Sequence, residues 1–301
     1  MSEAVSPDPA IHRRRLRTEI RNAREAAGMT QRDVAKAMDW SQSKLIRIES
    51  GQVNISTNDL RALLSHYGLD PTRINALVAV ARAAREPGRW SIYRDVVTPE
   101  FIAFLGCESS ASIIRGFEPF LIPGLLQTEE YARTVLSSLV GAENRHKVDS
   151  LVDLRVERQE LLVRQPEPSL HFIMDEAVIR RVIGGRDVMR RQLRHLQELA
   201  EHPEMTVRVI PFEYGIYPNQ RVAYHVFEFS DPEDEYVLYI ENPELTQEAI
   251  IRESSPEQQD KYSPANYLAA FWELEHIASR EDAVRIIHDA VSRLTTETDS
   301  Q

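Results

Sequence analysis

The stretch TQRDVAKAMDWSQSKLIRIESG, residues 30–51, decides the fold of the first part of the chain. Its apolar residues recur at helical spacing in two short segments, one over residues 31–38 and one that begins after Ser41. Thr30 and Ser41 precede these segments in the N-cap position, which favours hydroxyl side chains. The small Ala35 permits the close, near-perpendicular approach of two helices. The stretch therefore predicts two helices joined by a short turn.

The flanking sequence has the same short-period helical pattern. It predicts three further helices, over residues 11–27, from Ser56 or Thr57 onward, and from Pro71 to about residue 84. We therefore expect an all-α domain of five short helices over residues 11–84. It is preceded by a disordered tail over residues 1–10, which hold two prolines and no periodicity.

The charge of the chain is divided unequally along its length. The formal net charge is -11. Residues 1–90 hold 15 Arg and Lys against 10 Asp and Glu, a net +5, whereas residues 91–301 have a net -16. Charge asymmetry between the parts of a chain is typical of a nucleic-acid-binding portion joined to a portion with another role. DNA binding is thus predicted for the N-terminal domain, and the acidic surplus disfavours it for the rest.

The second helix of the opening stretch has one polar face. Gln42, Ser43, Lys44 and Arg47 share it, whereas Leu45 points to the predicted core. Glutamine can bond adenine and arginine can bond guanine through two hydrogen bonds, and serine can bond several base edges, in a major groove that admits a helix. A helical hairpin with a solvated face is the alternative interpretation.

Beyond residue 84 the pattern changes. Pro87 and Gly88 interrupt the helices, so residues 85–97 are predicted to be a linker. Residues 98–140 and 144–165 have helical patterns. Alternation with period two then predicts strands, with helices between the first two, at residues 170–174, 205–212, 221–229 and 235–241. With a helical pattern from about residue 263, residues 98–294 are expected to form a larger α+β domain with a small, mainly antiparallel sheet, followed by a tail over residues 295–301.

Several functional classes are disfavoured by the sequence. Cys107 is the only cysteine, which excludes an internal disulfide and a Cys-rich metal site, and fits a reducing cytoplasm. Neither a secretion signal nor an apolar run long enough to span a membrane is present. The phosphate-binding, zinc-protease and nucleophile-elbow motifs are also missing. We expect a cytoplasmic, nucleoid-associated protein with no catalytic residue, metal or cofactor.

Three features of the larger domain have two interpretations each. Asp175 and Glu176 form either a helix start or a carboxylate pair for catalysis, and the former is favoured. Glu273, Glu275 and His276 form either a solvated helix face or part of a metal site, and again the former is favoured. An aromatic set is explained by core packing or by a pocket for a small molecule or peptide; it comprises Tyr214, Tyr217, Tyr224, Phe227, Tyr236, Tyr239, Tyr262, Tyr267, Phe271 and Trp272.

The opening stretch resembles the helix-turn-helix of the Xre or Cro-like family, which includes the lambda and 434 repressors. Those repressors place the second motif helix in the major groove. The resemblance covers about residues 12–75. It implies base reading by Gln42, Ser43 and Arg47, and phosphate or backbone contacts by Gln31, Lys44, Ser50, Asn54 and Thr57. It also implies a structural ion pair between Arg24 and Glu49. Ser43 departs from the glutamine of some relatives, so no operator sequence follows.

The larger domain resembles the domain that follows the helix-turn-helix in many actinobacterial regulators, among them the WhiJ-like regulators of Streptomyces. The strings that carry the resemblance are FEPFLIPGLLQTEEYARTVL (117–136), VERQELL (156–162), FIMDEAVIRRVIGGRDVMRRQLRHLQELA (172–200) and VRVIPFEYGIYP (207–218). The resemblance implies a transcription regulator, which in many cases is encoded beside a small acidic partner protein. It implies no catalytic residue.

Together these features predict a homodimeric, sequence-specific regulator that binds a palindromic operator in double-stranded DNA, because one recognition helix contacts too few bases for genomic selectivity. Its larger domain is expected to sense a small-molecule or peptide ligand or a small partner protein. The alternative is an antitoxin-like protein that neutralises a small neighbouring gene product and regulates its own synthesis. An enzymatic larger domain is a weaker third interpretation.

Overall fold

The computed structural model describes residues 9–50, 53–141, 143–164, 167–230, 236–241, 250–253 and 263–296. The chain divides into two compact units between Ser91 and Ile92. Residues 1–8 and 297–301 of the predicted tails, Gly51 and Tyr262 lie outside the described residues. Within the described part of the chain, no helix combines the length and the apolar character that crossing a membrane requires.

The N-terminal unit contains the five predicted helices. They are α1 (Pro9–Ala26), α2 (Gln31–Ala37), α3 (Gln42–Glu49), α4 (Thr57–His66) and α5 (Pro71–Ala83). The helix starts follow from local chemistry, because Thr30, Ser41, Ser56 and Asp70 each accept a backbone N–H bond in the first turn of the helix they precede. The five-helix prediction is confirmed.

One apolar core holds these helices together. Each helix contributes buried residues at helical spacing to this core. Its fully buried members include Ile20, Val34, Leu45, Leu60 and Leu77. After α5, residues Arg89–Tyr93 form a 3-10 turn inside the predicted 85–97 linker. The assignment of that segment as a linker stays a prediction.

The C-terminal unit is an α+β domain, as expected, built on a six-stranded sheet. The strands are β1 (Ile113–Glu118), β2 (Ser169–Asp175), β3 (Met205–Ile210), β4 (Ala223–Glu228), β5 (Val237–Glu241) and β6 (Ile250–Glu253). Their order across the sheet is β3-β2-β1-β4-β5-β6. Strand β1 pairs with β2 and β2 with β3 in parallel, whereas the other three neighbouring pairs are antiparallel. The sheet is therefore mixed, with antiparallel pairs in the majority.

Seven helices accompany the sheet in the described residues. They are α6 (Pro99–Ser110), α7 (Glu129–Val140), α8 (Arg145–Arg158), α9 (Glu176–Arg180), α10 (Arg186–Ala200), α11 (Pro264–Ile277) and α12 (Arg280–Thr296). Short 3-10 turns at Gly124–Leu126, Gln159–Val163 and Phe212–Tyr214 connect some of these elements.

The prediction of continuous helical structure over residues 98–140 was wrong. The central strand β1 lies inside that segment, between α6 and the 3-10 turn at Gly124–Leu126. Strand β1 is sandwiched between β2 and β4, and Ile114, Gly116 and Phe117 are buried. A strand buried on both faces has no alternation of apolar and polar residues, so its periodicity does not distinguish it from a buried helix. Strand β6 was also missed, and it is only four residues long.

The two faces of the sheet have different chemistry. On one face Phe117, Tyr224 and Leu238 pack against Tyr267 and Phe271 of α11 in a wholly apolar cluster. The opposite face has the alternate residues, and there Phe104 of α6 lies 5.3 Å from His225, 5.4 Å from Phe227 and 4.5 Å from Tyr239, measured between ring centroids. Glu118 and His225 lie on this second face, whereas Arg115, His171 and Arg208 alternate with the apolar residues of the first face.

Candidate nucleic-acid interface

The turn between α2 and α3 is tight and well bonded. The Trp40 N–H donates to the Ala35 carbonyl oxygen at 2.8 Å, across a left-handed Asp39 with φ 55°. Aspartate tolerates this conformation better than most residues with a side chain. Ser41 then accepts a hydrogen bond from the Lys44 N–H at 3.2 Å and fixes the first turn of α3. These bonds fix the orientation of α3 relative to α2.

Helix α3 presents its polar side chains to solvent and its apolar side chains to the core. Gln42, Ser43 and Arg47 are exposed, whereas Leu45 and Ile48 are buried. Within the described residues, the side chains of the three exposed residues make no hydrogen bond or ion pair. Donors on one exposed helix face that have no partner within the protein are suited to contacting base edges.

An apolar side chain that the sequence-based prediction omitted also belongs to this surface. Ile46 is 42% exposed and lies between Leu45 and Arg47 on α3. An exposed aliphatic group beside base-reading polar groups can contact the methyl group of thymine. The signal in the sequence was an isoleucine at a position where the core-facing pattern of α3 needs none.

Glu49 is the centre of the network that fixes α3. Arg24 donates to it twice, from Nε to Oε1 at 2.7 Å and from Nη2 to Oε2 at 3.2 Å. Gln31 donates from Nε2 to Oε2 at 2.7 Å. Because Glu49 is only 2% exposed, these donors replace the water that its carboxylate loses. The network joins α1, α2 and α3.

Two further arginines of α1 hold the C-terminal end of α3. Arg17 donates from Nη1 to the Ser50 carbonyl oxygen at 3.1 Å, and Arg21 donates from Nη2 to the Glu49 carbonyl oxygen at 3.5 Å. Positive groups at a helix C-terminus satisfy free carbonyls and interact favourably with the helix dipole. Much of the basic charge of α1 therefore stabilises the motif from within.

The residues expected to contact the DNA backbone differ in their exposure and in the bonds that they already make within the protein. Gln31 uses one of its two amide protons for Glu49, which leaves the other. Lys44 is half-buried, with Nζ 3.3 Å from Asp59 Oδ2 and 3.9 Å from the centroid of the Trp40 ring. Ser50 and Asn54 are exposed on either side of residues 51–52, which lie outside the described residues.

Thr57 is the first residue of α4, where Ser56 caps the helix by accepting from the Asp59 N–H at 3.0 Å. The free N–H groups of a helix start are suited to a phosphate oxygen. The structure thus places the expected base-reading residues on one face of α3. The expected backbone contacts lie at the start of α2, in the first turn of α3, after the end of α3 and at the start of α4.

Comparison with known families gives two matches. A family of helix-turn-helix domains matches residues 15–77, and a family described as a domain of unknown function (DUF5753) matches residues 101–287, more than half of the chain. The chain belongs to the DUF5753 family. Neither the search of curated proteins nor the search of solved structures found a match. The N-terminal unit is thus a helix-turn-helix domain, a class whose presence points to DNA binding and transcription regulation.

Two of the sequence features with alternative interpretations lie in the DUF5753 part of the chain. Asp175 caps α9, since its Oδ1 accepts from the Ala177 N–H at 2.7 Å, and Glu176 Oε2 accepts from the Phe212 N–H at 3.0 Å. Both carboxylates are therefore used in local structure. Among the described residues, no group of three His, Cys, Asp or Glu side chains is arranged to hold a metal ion.

The aromatic set of the DUF5753 domain divides between core and surface. Tyr214, Tyr236 and Trp272 are exposed, and six other members are buried: Tyr217, Tyr224, Phe227, Tyr239, Tyr267 and Phe271. The buried rings pack on the two faces of the sheet, for example Tyr224 on Tyr267 at 4.8 Å between centroids. Core packing accounts for these six.

Proposed function

We propose that this protein is a sequence-specific DNA-binding transcription regulator of the Xre or Cro-like, WhiJ-like type. The observation that carries the proposal is the exposed face of α3. Gln42, Ser43 and Arg47 have no partner among the described residues, in a helix fixed by a buried ion network. A reading helix must be held rigidly, because base contacts depend on the exact placement of donor groups.

In this proposal the contacts separate into two classes. Gln42, Ser43 and Arg47 read base edges in the major groove, and Ile46 adds an apolar contact with thymine. The phosphates are bound by polar side chains and helix N-termini around them, namely Gln31, Lys44, Ser50, Asn54 and Thr57. Lys44 exchanges Asp59 for a phosphate oxygen when DNA is bound. Arg24 and Glu49 are structural.

The functional unit is proposed to be a cytoplasmic, nucleoid-associated homodimer on a palindromic operator, since two-fold symmetric DNA sites match two-fold symmetric proteins. The C-terminal domain is proposed to sense a small-molecule or peptide ligand or a small acidic partner protein, and to alter the dimer or the placement of its reading helices. Sedimentation of the protein with and without operator DNA measures the stoichiometry directly.

The test begins with selection of bound sequences from a random DNA library. Arg47→Ala is then compared with Arg82→Ala, an exposed arginine of α5 outside the reading face. Arg47→Ala is expected to lose about 1 to 3 kcal/mol of discrimination at one base pair of each half-site. Arg82→Ala should keep the wild-type profile. A profile that Arg47→Ala leaves unchanged removes Arg47 from the reading face.

Salt dependence tests the phosphate contacts separately. With about six to ten phosphates neutralised, affinity should fall roughly 10³- to 10⁵-fold between 50 and 200 mM salt. Substitution of Gln31 or Lys44 should weaken binding to all DNA sequences alike. Removal of the Lys44 charge should also reduce the slope of log affinity against log salt concentration by about one. A flat salt response contradicts DNA binding by this surface.

A further inference from the structure

A rigid turn over Ile122–Gln127 forms one wall of a polar cluster in the C-terminal domain. Three glutamine side chains donate to its carbonyl oxygens: Gln127 to Ile122 at 2.7 Å, Gln192 to Leu126 at 2.7 Å, and Gln159 to Leu125 at 3.2 Å and Gln127 at 2.5 Å. The Tyr131 hydroxyl accepts from the Ile122 N–H at 3.3 Å. So many side-chain bonds to one turn fix the position of its backbone.

Two guanidinium groups converge on Gly124 in this turn. Arg155 and Arg158 lie three residues apart on α8 and therefore share a face of that helix. A Cβ added to Gly124 would overlap Arg155 Nη1 and lie 3.1 Å from Arg158 Nη1. Glycine is thus required for the backbone to approach both groups, and the two Nη1 atoms are directed to the same place.

The two arginines differ in their counter-charges. Arg158 is buried and forms a two-pronged ion pair with Glu108, at 2.8 Å from Nε to Oε2 and 2.8 Å from Nη2 to Oε1. Arg155 has no ion pair within 4.0 Å in the described part of the chain. Burial, and next the charge of Arg158, lower the pKa of Arg155 to about 10. One positive charge therefore lies partly buried without a paired anion in contact.

The neighbouring titratable groups do not supply that anion directly. Glu118 Oε1 lies 3.9 Å from His225 Nε2, and burial raises the pKa of Glu118 well above its ordinary value. Burial, with the charge of Arg158, lowers the pKa of His225 to about 3, so its imidazole is neutral near pH 7. His225 Nδ1 is buried without a hydrogen-bond partner among the described residues.

We propose that the Nη1 groups of Arg155 and Arg158, above Gly124, form a binding site for a small organic monocarboxylate. Paired guanidinium N–H donors match the two oxygens of a carboxylate in geometry and charge. A single negative charge balances the one arginine that has no ion pair within 4.0 Å among the described residues, whereas a doubly charged phosphate would leave one buried negative charge in excess.

The surroundings favour an organic body on the ligand. Arg158 Cζ lies 5.3 Å from the centroid of the Phe104 ring and 5.6 Å from that of Phe101. Phe104 in turn packs on His225 and Tyr239. Phe101 is partly exposed and is the ring of this group that the body of a ligand can contact. Ligand sites in proteins are lined mainly by apolar and aromatic side chains, with a few polar groups that fix the orientation of the ligand.

This inference deepens the sensing role given to the C-terminal domain in the proposed function, and rests on it only for the effect on DNA. Anion binding itself is measured on the full chain without DNA. If benzoate binds through Arg155 while no operator is found, the site stands and the regulator proposal falls. If the protein binds DNA specifically but does not bind the anion, the regulator proposal stands and the anion site falls.

The experiment uses isothermal calorimetry with sodium benzoate, sodium acetate and inorganic phosphate at constant ionic strength. Wild type is compared with Arg155→Gln, with Arg155→Lys, and with Arg145→Gln as the matched control, an exposed arginine at the start of the same helix. Benzoate is expected to bind wild type and Arg145→Gln alike. Arg155→Gln should weaken it roughly tenfold to a hundredfold, and Arg155→Lys should weaken it less.

A second readout needs no variant and so does not depend on folding of the mutants. Phenylglyoxal, an arginine-selective reagent, is applied to wild type, and mass spectrometry follows modification of Arg155 and Arg145. Benzoate should slow modification of Arg155 but not of Arg145, and chloride should slow neither. Equal benzoate affinity of Arg155→Gln and wild type, or an Arg155 that neither carboxylate protects, overturns the proposal. Binding of phosphate alone overturns the carboxylate assignment.

Discussion

Replacing the buried Arg24 with methionine is expected to destabilise the N-terminal domain strongly. The substitution keeps much of the apolar length of the side chain and removes the guanidinium. It deletes two of the three side-chain hydrogen bonds to Glu49 and leaves only that from Gln31. At 2% exposure, Glu49 cannot recover water without opening the domain.

The magnitude follows from that uncompensated charge. Removing one partner of a buried ion pair typically costs about 3 to 5 kcal/mol. The reverse change, Glu49→Leu, should cost less, because Arg24 keeps the Met29 carbonyl oxygen at 3.0 Å and the exposed Glu25 at 3.1 Å as partners. The double variant Arg24→Met with Glu49→Leu should be more stable than Arg24→Met alone, since no buried charge then lacks a partner.

Hydrogen exchange followed by mass spectrometry measures this in the full chain, because peptides report each region separately. Peptides from α1 and α3 should exchange faster in Arg24→Met, and peptides from β2 should not change. Arg32→Met, at an exposed position on α2, is the control and should change stability by less than about 0.5 kcal/mol. If the α3 peptides of Arg24→Met are protected against exchange to the same degree as those of Arg32→Met, the reasoning is refuted.

Three other changes test single structural features. Ser41→Ala removes the cap bonded to the Lys44 N–H and should lower the stability of α3 by about 1 kcal/mol, measured by exchange of α3 peptides. Gly116→Ala places a methyl 2.8 Å from a Phe172 ring carbon in the sheet, and should cost about 1 to 3 kcal/mol in urea unfolding. Burial lowers the pKa of His225 to about 3. Between pH 6.5 and about 3, His225 is therefore protonated in the unfolded chain but neutral in the folded protein. Stability should therefore fall as pH falls from 6.5 toward 3, by up to about 1.4 kcal/mol per unit, and His225→Gln should reduce that slope; an unchanged slope contradicts the assignment.

The N-terminal domain could be predicted because its determinants are local. Thr30, Ser41 and Pro71 mark helix starts through the first-turn chemistry of each helix, and the apolar spacing between them needs no distant partner. The same holds for the exposed face of α3, since helix periodicity alone separates Gln42 and Arg47 from the core.

The C-terminal domain was less predictable because its determinants are distant in sequence. Strand β1 becomes a strand through pairing with β2 and β4, whose residues lie more than fifty positions away. The cluster around Gly124 was equally hidden. The strings that contain Gly124 and Arg158 were recognised separately, but only the fold brings the 3-10 turn and α8 into contact. A sequence pattern within one segment does not predict the contact between Gly124 and α8.

The arginines of the N-terminal domain illustrate how structure divides a net charge into roles. Three arginines of α1 donate hydrogen bonds to Ser50 and Glu49, namely Arg17, Arg21 and Arg24. They therefore stabilise α3 and have few N–H donors left for DNA. Arg47, on the opposite side of the same helix, has no partner among the described residues. Binding affinity should thus depend on Arg47 more than on any of these three, whereas stability should depend on Arg24 and not on Arg47. In the proposed function, a basic segment of net +5 is therefore expected to bind DNA through the minority of its charges that have no partner among the described residues.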